Sequence, residues 1–233
     1  MEATHSMGRS EEDARQGQNL PKGNETENER SVSDVDMQRA HLYGLLARLL
    51  GAPMSDETLD SVRALENNYA EAESELGKAL VSLGALAGRT VRAVAEAEYT
   101  KLFYGMGAGG EVQPYASFYL TGFVYEKPLA NLRRDMAALG IAASGTSDEP
   151  EDHAAYLSEI MYGLITGAFG EVADLATQKK FFITHMAPWV GQFFADLEGA
   201  ESAALYMPVG TIGRLFFAIE SDAFDMAAYE APR

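Results

Sequence analysis

Large apolar side chains in this sequence recur at intervals of three and four residues, and no segment alternates them cleanly at every second position. That spacing builds helices with one apolar face and leaves nothing from which to pair a half-buried strand. Leu42, Leu45, Leu46, Leu49 and Leu50 form one such face. Ser33, with Asp36 three residues on, supplies a capping start, and Gly51 and Pro53 supply a stop. The same reading predicts two helices within 56–88, one over 90–104, one over 127–139 and one over 151–168. A segment over 171–198 is expected to be kinked or interrupted at Pro188, and a last helix is expected over 201–220. The aromatic stretch 114–126 is rich in β-formers without strict alternation, so a turn and a short helix are expected there. No heptad persists over three turns, which favours a globular bundle over a coiled coil. Met136, Met161, Met186 and Trp189, at helical spacing, are assigned to the core. The fold class expected is all-α, with one globular helical domain over 36–233.

Residues 1–35 read differently. They are rich in Glu, Asn, Gly, Ser and Arg and nearly devoid of large apolar side chains, which marks a disordered acidic arm. The whole chain carries 18 Lys+Arg against 35 Asp+Glu, a net charge of −17 over 233 residues. Residues 1–36 hold −5 of it, so the helical part is itself acidic at −12. This balance argues against a nucleic-acid partner, which needs a basic footprint, and suits a cationic one. There is no cysteine, which removes disulfides, thiolate metal sites and thiol nucleophiles together. No apolar run reaches membrane-spanning length, and the start of the chain has no basic-then-apolar signal pattern. No stable membrane insertion is therefore expected, and a cytoplasmic location is the simplest reading.

Motifs for common chemistries are missing. The P-loop pattern is absent, and Gly105, Gly107, Gly109 and Gly110 follow a predicted helix where a dinucleotide fingerprint would need a strand. His5, His41, His153 and His185 do not pair at helical spacing, so no metal site, no cofactor and no catalytic residue is assigned. Two polar or aromatic clusters stand out. Glu149-Pro150-Glu151-Asp152-His153 runs into an apolar helix, where acids in the first turn complement the helix dipole but an imidazolium would not. A neutral or carboxylate-paired His153 fits there. Pro114-Tyr115-Ala116-Ser117-Phe118-Tyr119 follows the glycine loop and could close the core or line a peptide groove. Two other readings stay open: an acid–base enzyme using His153 with Asp152 or Glu149, and a structural subunit that dimerises through its aromatic helices.

Taken in order, these segments resemble the TorD/DmsD family of redox-enzyme maturation chaperones. The residues that carry the resemblance are Glu98-Tyr99-x-x-Leu102-Phe103, Pro114-Tyr115-x-Ser117-x-Tyr119, Pro128-Leu129 with Leu132-Arg133 and Gly140, and above all Glu149-Pro150-Glu151-Asp152-His153 with Leu157 and Met161. His185, Trp189 and Tyr206 complete the set, which spans roughly residues 36–225. The resemblance implies an all-helical cytoplasmic chaperone, not an enzyme. It implies binding of the twin-arginine signal peptide, or the immature catalytic subunit, of a molybdenum-cofactor oxidoreductase, with export delayed until the cofactor is inserted. The peptide-binding residues expected are Leu102, Phe103, Pro114, Tyr115, Ser117, Tyr119, Glu149, Pro150, Asp152 and His153, in a monomer or homodimer. The family often carries Trp where this chain has Tyr115.

Overall fold

The computed structural model describes residues 32–105, 109–142 and 149–229. The arm expected over 1–35 lies almost wholly outside the described residues, as do the middle of the 105–113 glycine break and most of the 140–150 break. The described residues from Val32 onward belong to one compact unit. Their regular structure is helical, with no strand among them and a single isolated bridge between Tyr115 and His153.

Helix α1 (Asp34–Gly51) starts as the sequence predicts: Ser33 caps it by accepting from the Asp36 amide at 3.1 Å. α2 (Asp56–Asn68) and α3 (Glu75–Ala87) also begin on serine caps, Ser55 and Ser74, and pair as a hairpin. The helix expected over 90–104 changes character midway. α4 (Arg92–Tyr99) is regular, and Thr100–Tyr104 continues it as a π-helical turn that ends at Gly105 with φ 68°. After the glycine break come the six-residue α5 (Ala116–Thr121) and α6 (Lys127–Ala138). α7 (Ala154–Thr166) starts three residues later than the spacing suggests, because Glu151, Asp152 and His153 form the approach to the helix and not its first turn. Residues 171–198 divide around Pro188 into α8 (Leu175–His185) and α9 (Val190–Gly199). The last helix is displaced from 201–220: α10 runs Met207–Tyr229, and Leu205 precedes it.

α1 packs along α7 at the centre, and α10 lies across α9 and α3. The core holds Trp189, Tyr43, Tyr99, Tyr206, Phe182 and Phe193, all essentially sealed from solvent. The four residues assigned to the core by their spacing are there: Met136, Met161, Met186 and Trp189 are all buried. Close helix crossings use glycine. A Cβ on Gly84 would lie 2.4 Å from the Glu66 amide nitrogen, so α2 and α3 could not approach as they do with any side chain there.

Two buried carboxylates fasten α10. Glu220 accepts two hydrogen bonds from the Arg39 guanidinium, at 2.7 and 2.9 Å, and one from the Tyr43 hydroxyl at 2.9 Å. Burial works against the Arg39 charge, yet the Glu220 partnership outweighs it and raises the guanidinium pKa. Glu98 on α4 accepts from the amides of Ala204, Leu205 and Tyr206, at 2.8, 3.1 and 2.8 Å. It thereby holds the chain that leads into α10. Glu98→Ala would strip three amides, two of them in buried hydrogen bonds, of their acceptor and is expected to cost about 3 kcal/mol. Glu98→Gln, which keeps one acceptor oxygen, is expected to cost clearly less. Urea unfolding of both variants measures this, and equal losses would contradict it.

Candidate functional site

The two clusters singled out in the sequence meet through the backbone. The Ala116 amide donates to the Asp152 carbonyl at 3.0 Å, and the Ala154 amide donates to the Pro114 carbonyl at 2.8 Å. This short antiparallel bridge sets the start of α5 beside the start of α7. Pro150 opens the turn that makes it possible, with its carbonyl accepting from the His153 amide at 3.0 Å.

Asp152 and His153 then take separate tasks. The Asp152 carboxylate accepts from the Ser117 amide at 2.8 Å, so it caps α5 from across the bridge. Its other oxygen, Oδ1, is buried and has no partner among the described residues. His153 is the N-cap of its own helix: Nδ1 accepts from the Ala155 amide at 3.0 Å. An imidazole that accepts at Nδ1 must carry its proton on Nε2 and be neutral, one of the two states that the sequence left open for this position. Burial enforces it, driving the His153 pKa down to about 4 against a smaller opposing pull from Glu149. Asp152 Oδ2 is thus engaged by Ser117 and His153 Nδ1 by Ala155, so these two atoms do not bond to each other.

Of the ten residues named from the resemblance, seven are buried: Leu102, Phe103, Pro114, Ser117, Pro150, Asp152 and His153. Leu102 and Phe103 sit in the π-helical turn, with the Phe103 ring against Tyr99 and Tyr206. Ser117 Oγ accepts from the Glu126 amide at 3.3 Å. The three that reach solvent are Tyr115, Tyr119 and Glu149. Tyr115 donates to Glu149 Oε2 at 2.5 Å and lays its ring edge-on to His153, 5.2 Å between centroids. Tyr119 stands apart: it packs on Trp189 and donates to Asp196 at 2.8 Å. Burial and the adjoining carboxylates push both phenols far above the usual tyrosine range, so both stay protonated donors.

The structure adds a residue that the motif reading passed over. Tyr104, half exposed at the end of the π-helical turn, has its hydroxyl 3.5 Å from Glu149 Oε1. Burial, then the Glu149 charge, raises its pKa as well. Glu149 is thus flanked by two phenols from different parts of the chain. Nearby, Glu151 pairs with Arg133 of α6 at 2.7 Å. Among the described residues no group of three or more histidines and carboxylates is placed to hold a metal ion, and no helix is long and apolar enough to cross a membrane.

A family model described as the nitrate reductase delta subunit matches residues 64–195, more than half of the chain. The chain belongs to this family, that of the TorD-type redox-enzyme maturation proteins. The match contains both clusters and the bridge between them. Similar TorD-type relatives include the chaperone protein TorD of Aliivibrio fischeri, 28% identical over 173 residues, covering 67% of this chain and 80% of that one. The chaperone protein TorD of Actinobacillus succinogenes is 24% identical over 184 residues, covering 75% and 90%. The crystal structure of a candidate redox enzyme maturation protein from Archaeoglobus fulgidus superposes with a TM-score of 0.51 at 20% identity, over 77% of this chain and 93% of that one. The last comparison bears on the fold alone, and it agrees with the all-helical expectation.

The neutral cap makes stability depend on pH. Because the folded-state pKa of His153 lies below the ordinary 6.5, the unfolded chain binds the extra proton first as pH falls. Stability is therefore expected to drop from about pH 6.5 towards pH 4, with His153 contributing up to about 1.4 kcal/mol per pH unit. His185, also shifted down by burial, acts in the same direction. His153→Asn keeps a capping acceptor and removes the titration, so its thermal midpoint should fall less steeply across that window. Parallel slopes in parent and variant would contradict the assignment.

Proposed function

We propose that this redox-enzyme maturation protein is a chaperone that binds the twin-arginine signal peptide of a molybdenum-cofactor oxidoreductase. On this reading it acts in the cytoplasm, associates with the immature catalytic subunit and delays export until the cofactor is in place. It does so as a binding module, with no catalytic step of its own. The observation that carries the reading is the Tyr104–Glu149–Tyr115 cluster at the solvent end of the bridge. The two phenols meet one oxygen each of the Glu149 carboxylate, and their rings set flat faces beside its negative charge, a combination that suits a guanidinium. The rings also give adjoining apolar side chains a surface. The excess negative charge of the chain draws a cationic peptide in from a distance.

The relatives support this assignment in kind: two carry the chaperone name, and the matching segment includes the whole cluster. The buried members of the expected set serve the site from behind. Asp152 and His153 cap the two helices that present Tyr115 and Glu149, and Leu102 and Phe103 anchor the turn that presents Tyr104.

Calorimetry of the full chain with synthetic twin-arginine peptides tests the reading. Binding is expected to weaken as salt is raised. Glu149→Gln, which keeps the shape and removes the charge, should weaken it about tenfold or more, the scale of a charge-assisted hydrogen bond. A folded protein that binds no such peptide would overturn the proposal.

A further inference from the structure

α7 runs tightly along one side of α1, whereas the α2–α3 hairpin packs on α10 and makes no extensive contact with α1. Two glycines bring α1 close to α7: a Cβ on Gly51 would lie 3.5 Å from the Ala155 Cβ, and one on Gly44 3.4 Å from the Tyr162 ring. On the hairpin side an open trough of about 540 Å³ is left, with α1 as its floor and α7 and the hairpin as its walls. It shares no residue with the Tyr104–Glu149–Tyr115 cluster. Leu42 and Leu45 of the floor and Leu65 of the wall are only half-buried there, and the Tyr69 and Tyr162 rings reach solvent. From His41 to Arg48 the floor extends about 10 Å at 1.5 Å per residue, the length of two helical turns.

Two properties of the trough define what fits it. Its floor and walls are helix faces, whose amides and carbonyls are bonded within their own helices. An extended segment laid on them would bury unpaired backbone groups, whereas a helix arrives with its backbone already satisfied. The charges then select among helices. Glu159 lines the trough without a hydrogen bond or ion pair among the described residues, and burial raises its pKa with no cation to offset the cost. The chain after Tyr69 adds Glu71 and Glu73, both exposed. Among the described residues that line the trough, Arg48 alone carries a fixed positive charge. Carboxylates around an apolar floor complement lysines or arginines set beside an apolar stripe.

We propose that this trough is a docking site for a basic amphipathic helix of a partner protein. Apolar side chains at every third or fourth position seat over Leu42, Leu45 and Leu65, between the Tyr69 and Tyr162 rings. A lysine or arginine flanking that stripe meets Glu159. The site is separate from the one assigned to the signal peptide, and it stands whether or not that assignment does.

The probe is a stapled helical peptide with leucine at every third or fourth position and lysine beside the leucines, and its control carries glutamate in place of each lysine. Calorimetry with the full chain should show binding of the first that weakens as salt is raised, and binding of the second at least about tenfold weaker. Gly44→Leu raises the floor at a position where a Cβ makes only ordinary contact and where helix propensity improves, so it should leave the fold intact and lower affinity about tenfold. Glu159→Lys should lower it as much, whereas Glu96→Lys, the same charge change on the exposed face of α4, should change it less than about twofold. The chain has no cysteine, so each introduced thiol is unique. A haloacetyl group in the leucine stripe should alkylate Tyr69→Cys much faster than Thr184→Cys on the exposed face of α8. Binding of neither peptide, binding that ignores Gly44→Leu and Glu159→Lys, or equal alkylation at 69 and 184 would overturn the proposal. A concentration-dependent dimer that Gly44→Leu disperses would overturn it too, by making a second copy of the chain the occupant. A twin-arginine peptide should leave the stapled helix bound, and displacement would overturn the separation of the two sites.

Discussion

The site depends on a pair of main-chain hydrogen bonds, Ala116 to Asp152 and Ala154 to Pro114. They join segments nearly forty residues apart and bring two helix beginnings side by side. Helix starts expose amides and carry partial positive charge, so two together need acceptors nearby. Asp152 and His153 answer that need, one across the bridge and one within its own helix. The acid-rich turn before α7 therefore has a structural reason to exist before any ligand is considered. Outside the bridge the Glu149 carboxylate stands between the Tyr104 and Tyr115 phenols, and inside it lies the second Asp152 oxygen, buried and without a hydrogen bond among the described residues.

Much of the acidity is built into the fold in the same way. Glu98 organises the entry to α10, and Glu220 ties that helix to α1 through Arg39 and Tyr43. Each is buried, and each is matched by hydrogen-bond donors, which is what makes its burial tolerable. The negative charge of the chain thus has two uses: an interior one in which carboxylates receive amides and a guanidinium, and a surface one available to a positively charged partner.

Helix periodicity made most of the architecture legible in advance. Leu157, Ile160, Met161 and Leu164 mark the buried face of α7, and Ser33 marks the start of α1, because both signals are local. The shifts arose where distant partners decided. The stretch before α10 looked helical, yet Glu98 claims its amides and holds it in turns and bends until Met207. Glu151 and Asp152 looked like first-turn acids, yet the bridge to 114–116 delays α7 until Ala154. Tyr104 went unremarked because a regular helix reading gives no hint that a π-helical turn will carry its ring to Glu149.

The order and spacing of motifs in the sequence were enough to establish an all-helical chain and its resemblance to redox-enzyme maturation proteins, since these follow from periodicity and residue type along the chain. The division of labour within those motifs was decided only by the tertiary structure. Ten residues that read alike as site candidates separate into seven that are buried and three that meet solvent. The physical reason is that exposure and hydrogen-bond partnership are properties of packing between segments. Whether a carboxylate caps a helix, pairs with a guanidinium or stays open depends on which distant amides and phenols the fold brings to it.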